Sequence, residues 1–158
     1  MERLPYIDGH GVEVEADVDA TWQALVRMVR GMVADGSWFA RAWHLEPAAS
    51  GGTWSPDVEP GAALPGFAVD ELRKDELLSL RGGHRFARYR LDFELDAPEP
   101  GRAHLWARTW AEFPGLKGRA YRALVIGSGG HRVVVKRMLR RIAVNAQRAS
   151  STARSRTA

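Results

Sequence analysis

The order of the predicted elements is the feature that most constrains this chain. A short strand leads into an amphipathic helix, a strand-rich middle follows, and a long basic helix comes last. A half-buried sheet and a helix with one apolar stripe must each cover their apolar side, and they do so by packing against each other. The 158 residues suffice for one such domain. We therefore expect a single α+β domain in which the sheet packs on the last helix.

The first strand and the first helix follow from a change of period at Asp17. Over residues 10–16, Val12 and Val14 alternate with acidic residues, as in a half-buried strand. After Asp17, apolar residues recur at steps of three and four on one helical stripe: Val18, Trp22, Leu25, Val26, Val29 and Val33. We expect Asp17 to cap this helix, Asp35-Gly36 to end it, and Ser37 to begin a second short helix through Trp38, Phe39 and Trp43.

Two alternating runs predict a central antiparallel hairpin. The inward residues of the first run are Ala87, Tyr89, Leu91, Phe93 and Leu95, and those of the second are Leu105, Ala107, Thr109, Ala111 and Phe113. Residues 97–102 have the composition of the connecting turn. Two further strands are predicted at 67–69 and 77–80, and the Pro-, Gly- and Ser-rich stretch 46–66 predicts a loop with one edge strand around Trp54.

Helical periodicity returns after Phe113-Pro114-Gly115. One stripe comprises Tyr121, Leu124, Val125, Val135, Met138, Leu139 and Ile142, provided that the helical phase continues through Ser128 and His131. The segment 127–130 is rich in Gly, and each Gly costs about 1 kcal/mol relative to Ala inside a helix. We expect a kink or a break there. Residues 1–148 are predicted to form the domain, and 149–158 to form either a flexible tail or an extension of the helix.

Two runs of the sequence resemble a known superfamily. The run from Val14 to Leu25 is similar to the strand-into-helix opening of the START-like (SRPBCC) proteins, and the run from Phe113 to Gly127 is similar to uncharacterised bacterial members, many from actinobacteria. The resemblance spans 11–147. It implies a helix-grip fold, in which a curved antiparallel β-sheet wraps around a long C-terminal helix, with two short helices after the first strand. Polyketide cyclases and lipid-transfer domains belong to this superfamily, which shares no catalytic motif.

The resemblance also implies an apolar cavity between the sheet and the C-terminal helix. We expect this cavity to bind a hydrophobic small molecule, either a lipid or a polyketide-like compound, without a cofactor. The residues predicted to line it or its entrance are Trp38, Phe39, Phe67, Val69, Tyr89, Leu91, Phe93, Leu105, Thr109, Tyr121, Leu124, Ser128, His131 and Val135. The alternative is that these side chains fill a solid core.

Catalytic candidates are few. The histidines lack the paired spacing of a metal site, so we expect no bound metal: His10, His44, His84, His104 and His131. His131, Tyr89 and Thr109 are the candidates for a cyclase- or aromatase-like reaction, because each is predicted to face inward and can donate or accept a proton or a hydrogen bond. For His131 we favour a structural role, as a packed side chain bonded to a backbone carbonyl beside the kink. A binding protein is accordingly favoured over an enzyme.

Trp106 and Trp110 fall on the outward face of the hairpin, where two large apolar rings are unusual. Three interpretations remain: the loop around Trp54 covers them, they form a homodimer contact, or the inward assignment is reversed. We favour the first two over the third, because exposed apolar patches usually mark contacts.

The charge of the chain is divided unevenly. Eleven of the 23 Lys and Arg residues lie from Phe113 onward, where Asp and Glu are absent, and all 19 acidic residues precede it. A third candidate function is therefore an interaction module, which uses the basic helix to contact an anionic membrane surface or an acidic protein. Nucleic acid is not expected, and we favour a solvated helix face. Cysteine is absent and no membrane-length apolar run or signal-peptide pattern occurs, so we expect a cytoplasmic protein.

Overall fold

The computed structural model describes residues 4–34, 60, 63–64, 67–84 and 87–157. Within these residues, the strands and helices follow one another in the expected order. The elements are β1 (Tyr6–Val14), α1 (Val18–Ala34), β2 (Ala63–Leu64), β3 (Phe67–Arg73), β4 (Leu77–His84), β5 (Ala87–Glu99), β6 (Arg102–Glu112), α2 (Gly115–Arg122), a π-helical segment (Ala123–Gly127) and α3 (Gly130–Thr157). The first strand begins at Tyr6 and ends at Val14, so the predicted bounds of 10–16 were wrong at both ends.

The strands form one curved antiparallel sheet in the order β1-β6-β5-β4-β3-β2. The β5–β6 hairpin pairs Leu91 with Thr109 and Phe93 with Ala107, so the two predicted inward faces coincide. The turn is tighter than predicted, because β5 extends to Glu99 and Gly101 adopts a φ of 77° that favours glycine. β4 continues through Gly82 and Gly83, beyond the predicted end at residue 80. The edge strand predicted around Trp54 lies outside the described residues.

The concave face of the sheet carries the predicted core residues, and the outer face carries Trp106 and Trp110. Leu105 and Ala107 are fully buried on the concave side, so the interpretation with a reversed assignment is wrong. On the outer face the Trp110 ring packs edge-on against Tyr6, with centroids 5.8 Å apart, and the Arg90 guanidinium lies 5.6 Å from its centroid. These contacts already cover part of Trp110, and a loop cover or a dimer contact stays a prediction.

The outer face of the sheet is not uniformly exposed to solvent. Asp92 alternates outward as predicted, yet only 3% of it is exposed. Arg90 donates from Nε to Asp92 Oδ1 at 2.7 Å, and this hydrogen bond raises the pKa of the guanidinium. A charge-assisted bond of this length offsets part of the cost of removing the carboxylate from water.

α1 begins as the sequence predicts. The backbone N–H of Ala20 donates to Asp17 Oδ1 at 2.7 Å, which satisfies one of the free donors of the first turn. Trp22, Leu25 and Val29 are buried along the predicted stripe. The end of the helix at Asp35-Gly36 and the second short helix through Trp38 and Phe39 lie outside the part of the chain that the structure describes.

The C-terminal helical region is divided where the Gly-rich segment predicted a break. Gly129 adopts a φ of 74°, and α3 starts anew at Gly130. The helical phase is therefore not carried from the π-helical segment into α3. Leu124 is 70% exposed and Ser128 is also exposed, so their placement on the inward stripe was wrong. α3 reaches Thr157, and residues 149–157 extend the helix rather than forming a tail.

α3 packs against α1, β1 and β6. Its buried stripe begins one turn after its start and joins the residues of α1 and the concave face in one hydrophobic core: Val135, Met138, Leu139, Ile142, Ala143 and Ala146. Most of the stability of such a helix comes from this packing rather than from its own propensity.

Close contact between β1 and Trp106 generates a prediction about stability. A Cβ atom on Gly11 would lie 2.8 Å from Cε3 of the Trp106 ring, too close for any real contact. We expect Gly11→Ala to lower the free energy of unfolding by about 1–3 kcal/mol, because the ring must shift. In the Trp106→Ala background the same change should cost much less, which urea denaturation of the four proteins measures as a double-mutant cycle.

Gly31 provides the matched control. It lies inside α1 with open space around the position of a Cβ atom. Gly31→Ala should stabilise the protein by roughly 0.5–1 kcal/mol, because Ala has the higher helix propensity. A cost of Gly11→Ala that persists without the Trp106 ring would contradict the proposed cause.

Candidate functional site

An acidic side chain of β1, that of Asp8, lies on the concave face of the sheet next to a β-bulge. Tyr6 pairs with Trp110 on the outer face, whereas Asp8 pairs with Thr109 on the inner face, and the register shifts between them. In a regular strand, residues two positions apart share a face. Asp8 therefore stays in phase with His10 and the core, and the extra residue of the bulge turns Tyr6 to the outer face.

Four polar side chains meet below the start of α3, and we call them the polar cluster: Asp8, His10, Thr109 and His131. His131 Nε2 lies 3.1 Å from Thr109 Oγ1 and 3.3 Å from Asp8 Oδ1. His10 Nε2 lies 3.3 Å from the other carboxylate oxygen of Asp8. The exposed fractions of the side chains are 11% for each histidine and 18% for Asp8, so the cluster is largely removed from water.

Burial sets the protonation of His131. Loss of solvation lowers its pKa, the Asp8 carboxylate opposes this effect, and the nearby His10 lowers the pKa further. The net direction is down from 6.5, so the neutral ring dominates at physiological pH. An ionised carboxylate only accepts hydrogen bonds, so Nε2 carries the proton and donates toward Asp8 and Thr109. The lone pair of the neutral ring is then on Nδ1, which is the basic atom.

The second imidazole ring of the polar cluster, that of His10, has fewer hydrogen-bond partners than that of His131. His10 Nε2 is buried and makes no hydrogen bond within the described part of the chain, although it lies near Asp8. The two imidazoles approach different oxygens of one carboxylate. Across the described ranges, no group of three or more His, Cys, Asp or Glu side chains has an arrangement that could hold a metal ion.

Two of the four residues of the polar cluster were predicted from the sequence. His131 and Thr109 were both chosen, and the structure brings them into hydrogen-bond contact. Tyr89, the third candidate, is half-buried on β5, opposite Ala111, with its ring edge-on to Phe67 at 4.9 Å. Asp8 was missed because the predicted strand began at His10, and His10 was counted only among the histidines without metal-site spacing. Both are in phase with Val12 and Val14, and this periodicity could have identified them.

Half of the fourteen predicted ligand-binding residues belong to the core or pack against it. Phe67, Val69, Leu91, Phe93, Leu105 and Val135 are buried in one hydrophobic cluster, and Tyr89 packs against it. Leu124 and Ser128 are exposed, as described above. Trp38, Phe39 and the side chain of Tyr121 lie outside the described residues. The structure thus brings six of these residues together in the interior, and their role in binding stays a prediction.

A partly open cleft of about 400 Å³ lies between β1 and α3, and we call it the β1–α3 cleft. It is lined by Gly9, His10, Gly11, Val12, Lys136, Leu139 and Arg140. None of these residues was among the predicted ligand-binding residues. His10 belongs to both the cleft and the polar cluster, so one wall of the cleft adjoins Asp8.

Exposed apolar side chains also occur in the basic C-terminal region, from Phe113 onward. Leu116, Leu124 and Val133 are 79%, 70% and 66% exposed, and all three lie in the region without Asp or Glu. Contact of this region with an anionic membrane surface or an acidic protein stays a prediction. No helix of the described ranges is both long and apolar enough to span a membrane.

Comparison with family models and with curated proteins gives no match for this chain. Solved structures with a similar fold do match. A norcoclaurine synthase point mutant from Thalictrum flavum, in complex with a transition-state analogue, aligns with a TM-score of 0.58 and 10% identity over 93% of this chain and 99% of that chain.

Two bacterial structures give similar values. A protein from Chromobacterium violaceum aligns with a TM-score of 0.52 and 14% identity over 89% of this chain and 98% of that chain. A conserved protein from Geobacillus kaustophilus aligns with a TM-score of 0.50 and 15% identity over 91% and 94%. Identities this low concern the fold alone. The predicted helix-grip fold, a curved antiparallel sheet with a long C-terminal helix, is confirmed.

The lowered pKa of His131 predicts how stability depends on pH. The unfolded chain binds a proton on this ring near pH 6.5, whereas the folded state resists it. The contribution of the neutral ring is thus present above pH 6.5 and is lost as the pH falls below it. His131→Gln keeps a donor toward Asp8 but does not titrate. We expect the stability difference between wild type and variant, measured by urea denaturation from pH 8 to pH 5, to shrink as the pH falls. A difference independent of pH would contradict it.

Proposed function

We propose that this protein binds a hydrophobic small molecule, a lipid or a polyketide-like compound, between the concave sheet and α3. In this proposal the polar cluster holds the polar end of the ligand. The concave face supplies the apolar surface and contributes about 25 cal/mol for each Å² of ligand that it buries. The polar cluster orients the ligand, because it can form hydrogen bonds only with a polar group at one end of the ligand.

The observation that carries the proposal is one polar cluster at the edge of an otherwise apolar interior. His131 Nε2 is within hydrogen-bond distance of both Asp8 Oδ1 and Thr109 Oγ1, and the core next to them is made of aliphatic and aromatic side chains. Burying a carboxylate and two imidazoles is unfavourable for folding unless all are well paired, and His10 Nε2 is not. A few convergent polar groups against apolar walls are the composition of a small-molecule site.

The state of His131 favours a second candidate function, a cyclase- or aromatase-like enzyme. A neutral histidine that is oriented by a carboxylate can act as a general base. The basic atom Nδ1 would remove a proton from a carbon between two carbonyl groups and form an enolate. The enolate carbon then bonds to a second carbonyl carbon, whose oxygen takes the proton back from the imidazolium. Thr109 and Asp8 would hold the ring in position.

The binding proposal is tested with a pair of probes that differ by one hydroxyl group, 2-naphthol and naphthalene. We expect wild-type protein to bind 2-naphthol several-fold more tightly, because its hydroxyl pairs with the polar cluster. His131→Leu and the isosteric Thr109→Val should reduce the affinity for 2-naphthol several-fold and leave naphthalene within twofold. Calorimetric titration measures both.

His104→Leu is the matched control, since His104 lies on the outer face beside Glu13. It should leave the affinity for both probes unchanged. Equal affinity of wild type for the two probes would contradict the role of the polar cluster, and failure to bind either one would contradict the proposal as a whole.

The enzymatic candidate has its own test. Wild-type protein in deuterated buffer should accelerate exchange of the C2 protons of a 3-oxo ester, because Nδ1 of neutral His131 accepts them. His131→Gln should abolish the acceleration, and the rate should fall as the pH drops and the ring becomes protonated. NMR follows the exchange directly. Equal rates with wild type, variant and buffer alone would exclude His131 as the base for this reaction.

A further inference from the structure

We propose that the β1–α3 cleft binds the carboxylate group of an amphiphilic ligand. The inference rests on the proposed function, because it assigns the charged end of the same molecule. Two cations, an apolar floor and a connection to the polar cluster together carry it.

The cations come from one face of α3. Lys136 and Arg140 are one helical turn apart and both line the cleft. Neither forms an ion pair with any residue that the structure describes, whereas many of the other cations of the described chain do. No acidic side chain lies on α3 to neutralise them. An ammonium and a guanidinium at this spacing present several donors to one carboxylate.

The floor of the cleft suits the apolar part of such a ligand. Leu139 is a buried core residue and Val12 packs against the core, so this wall of the cleft belongs to the edge of the hydrophobic core. β1 is the edge strand of the described sheet, and Gly9 and Gly11 contribute backbone to the cleft, while their Cβ positions face Arg108 and Trp106 on the outer side. A volume of about 400 Å³ lies within the usual range for a small-molecule site.

His10 connects the two regions. It lines the cleft, and its Nε2 is 3.3 Å from Asp8 Oδ2. The cations therefore lie on the side of His10 that faces the cleft, and the carboxylate of Asp8 lies behind it. This separation of opposite charges gives the ligand one orientation, with its anionic group toward Lys136 and Arg140 and away from Asp8.

The test uses dodecanoate and dodecanol, which share a chain and differ in charge. Calorimetric titration at pH 7.5 should show wild-type protein binding dodecanoate at least tenfold more tightly than dodecanol. The double variant Lys136→Gln/Arg140→Gln should lose at least fivefold in affinity for dodecanoate and keep its affinity for dodecanol within twofold. Circular dichroism checks that each variant is folded.

The chain provides a control of equal charge. Arg137 and Arg141 are also exposed cations one turn apart on α3, and they are not among the residues that line the cleft. Arg137→Gln/Arg141→Gln should leave the affinity for dodecanoate within twofold. A loss equal to that of the cleft variant would assign the effect to the overall positive field and overturn the inference.

The remaining outcomes separate the inference from the proposed function. Equal binding of dodecanoate and dodecanol by wild type overturns the carboxylate site and supports the apolar site. Binding of hexanoate as tight as that of dodecanoate, with no binding of dodecanol, supports the carboxylate site and contradicts the apolar one. Binding of none of the three overturns both.

Discussion

The burial of one stripe of α3 is the interaction on which the other features depend. Val135, Leu139 and Ile142 pack into the core formed by α1 and the concave face, and this contact fixes the start of the helix against β1 and β6. His131 lies one turn before Val135, so the same packing sets its height above the sheet. Because packed cores tolerate little displacement, the helix holds its first turn in place. The polar cluster and the β1–α3 cleft both exist because α3 is held there.

The polar cluster costs stability that an apolar core would not. Replacing buried charged and polar networks with well-packed hydrophobic groups is often neutral or stabilising, whereas removing one partner is costly. Here the charged residue Asp8 lies on the inward face of β1, and Thr109 interrupts a run of buried apolar residues on β6. Both residues depart from the apolar pattern of the inward face, and both lie next to His131. Departures from regular patterning that converge in this way are expected at sites of function.

How far the sequence could predict this structure depends on the distance over which each feature is encoded. The inward faces of β5 and β6 could be predicted from the sequence, because a strict alternation over a long strand allows only one assignment of residues to the two faces. The helix cap at Asp17 could also be predicted, because it depends on a neighbour three residues away. Leu124 was misplaced because a helical phase was carried across Gly129, and a single positive φ resets that phase. Asp8 was missed because the predicted strand began two residues after it, and the cleft was missed because it requires β1 and α3 to be placed together.

The hydrogen bond between Asp8 and His131 joins residues 123 positions apart in the chain. β1 is synthesised before its pairing partner β6 and before the covering helix α3, which follow it in the chain. Contacts of this separation form slowly, because the loop between their ends must be closed before they contribute any stability. During synthesis β1 and its inward carboxylate therefore lack these partners until β6 and α3 have been made. The site cannot form before the part of α3 that carries His131 has been synthesised.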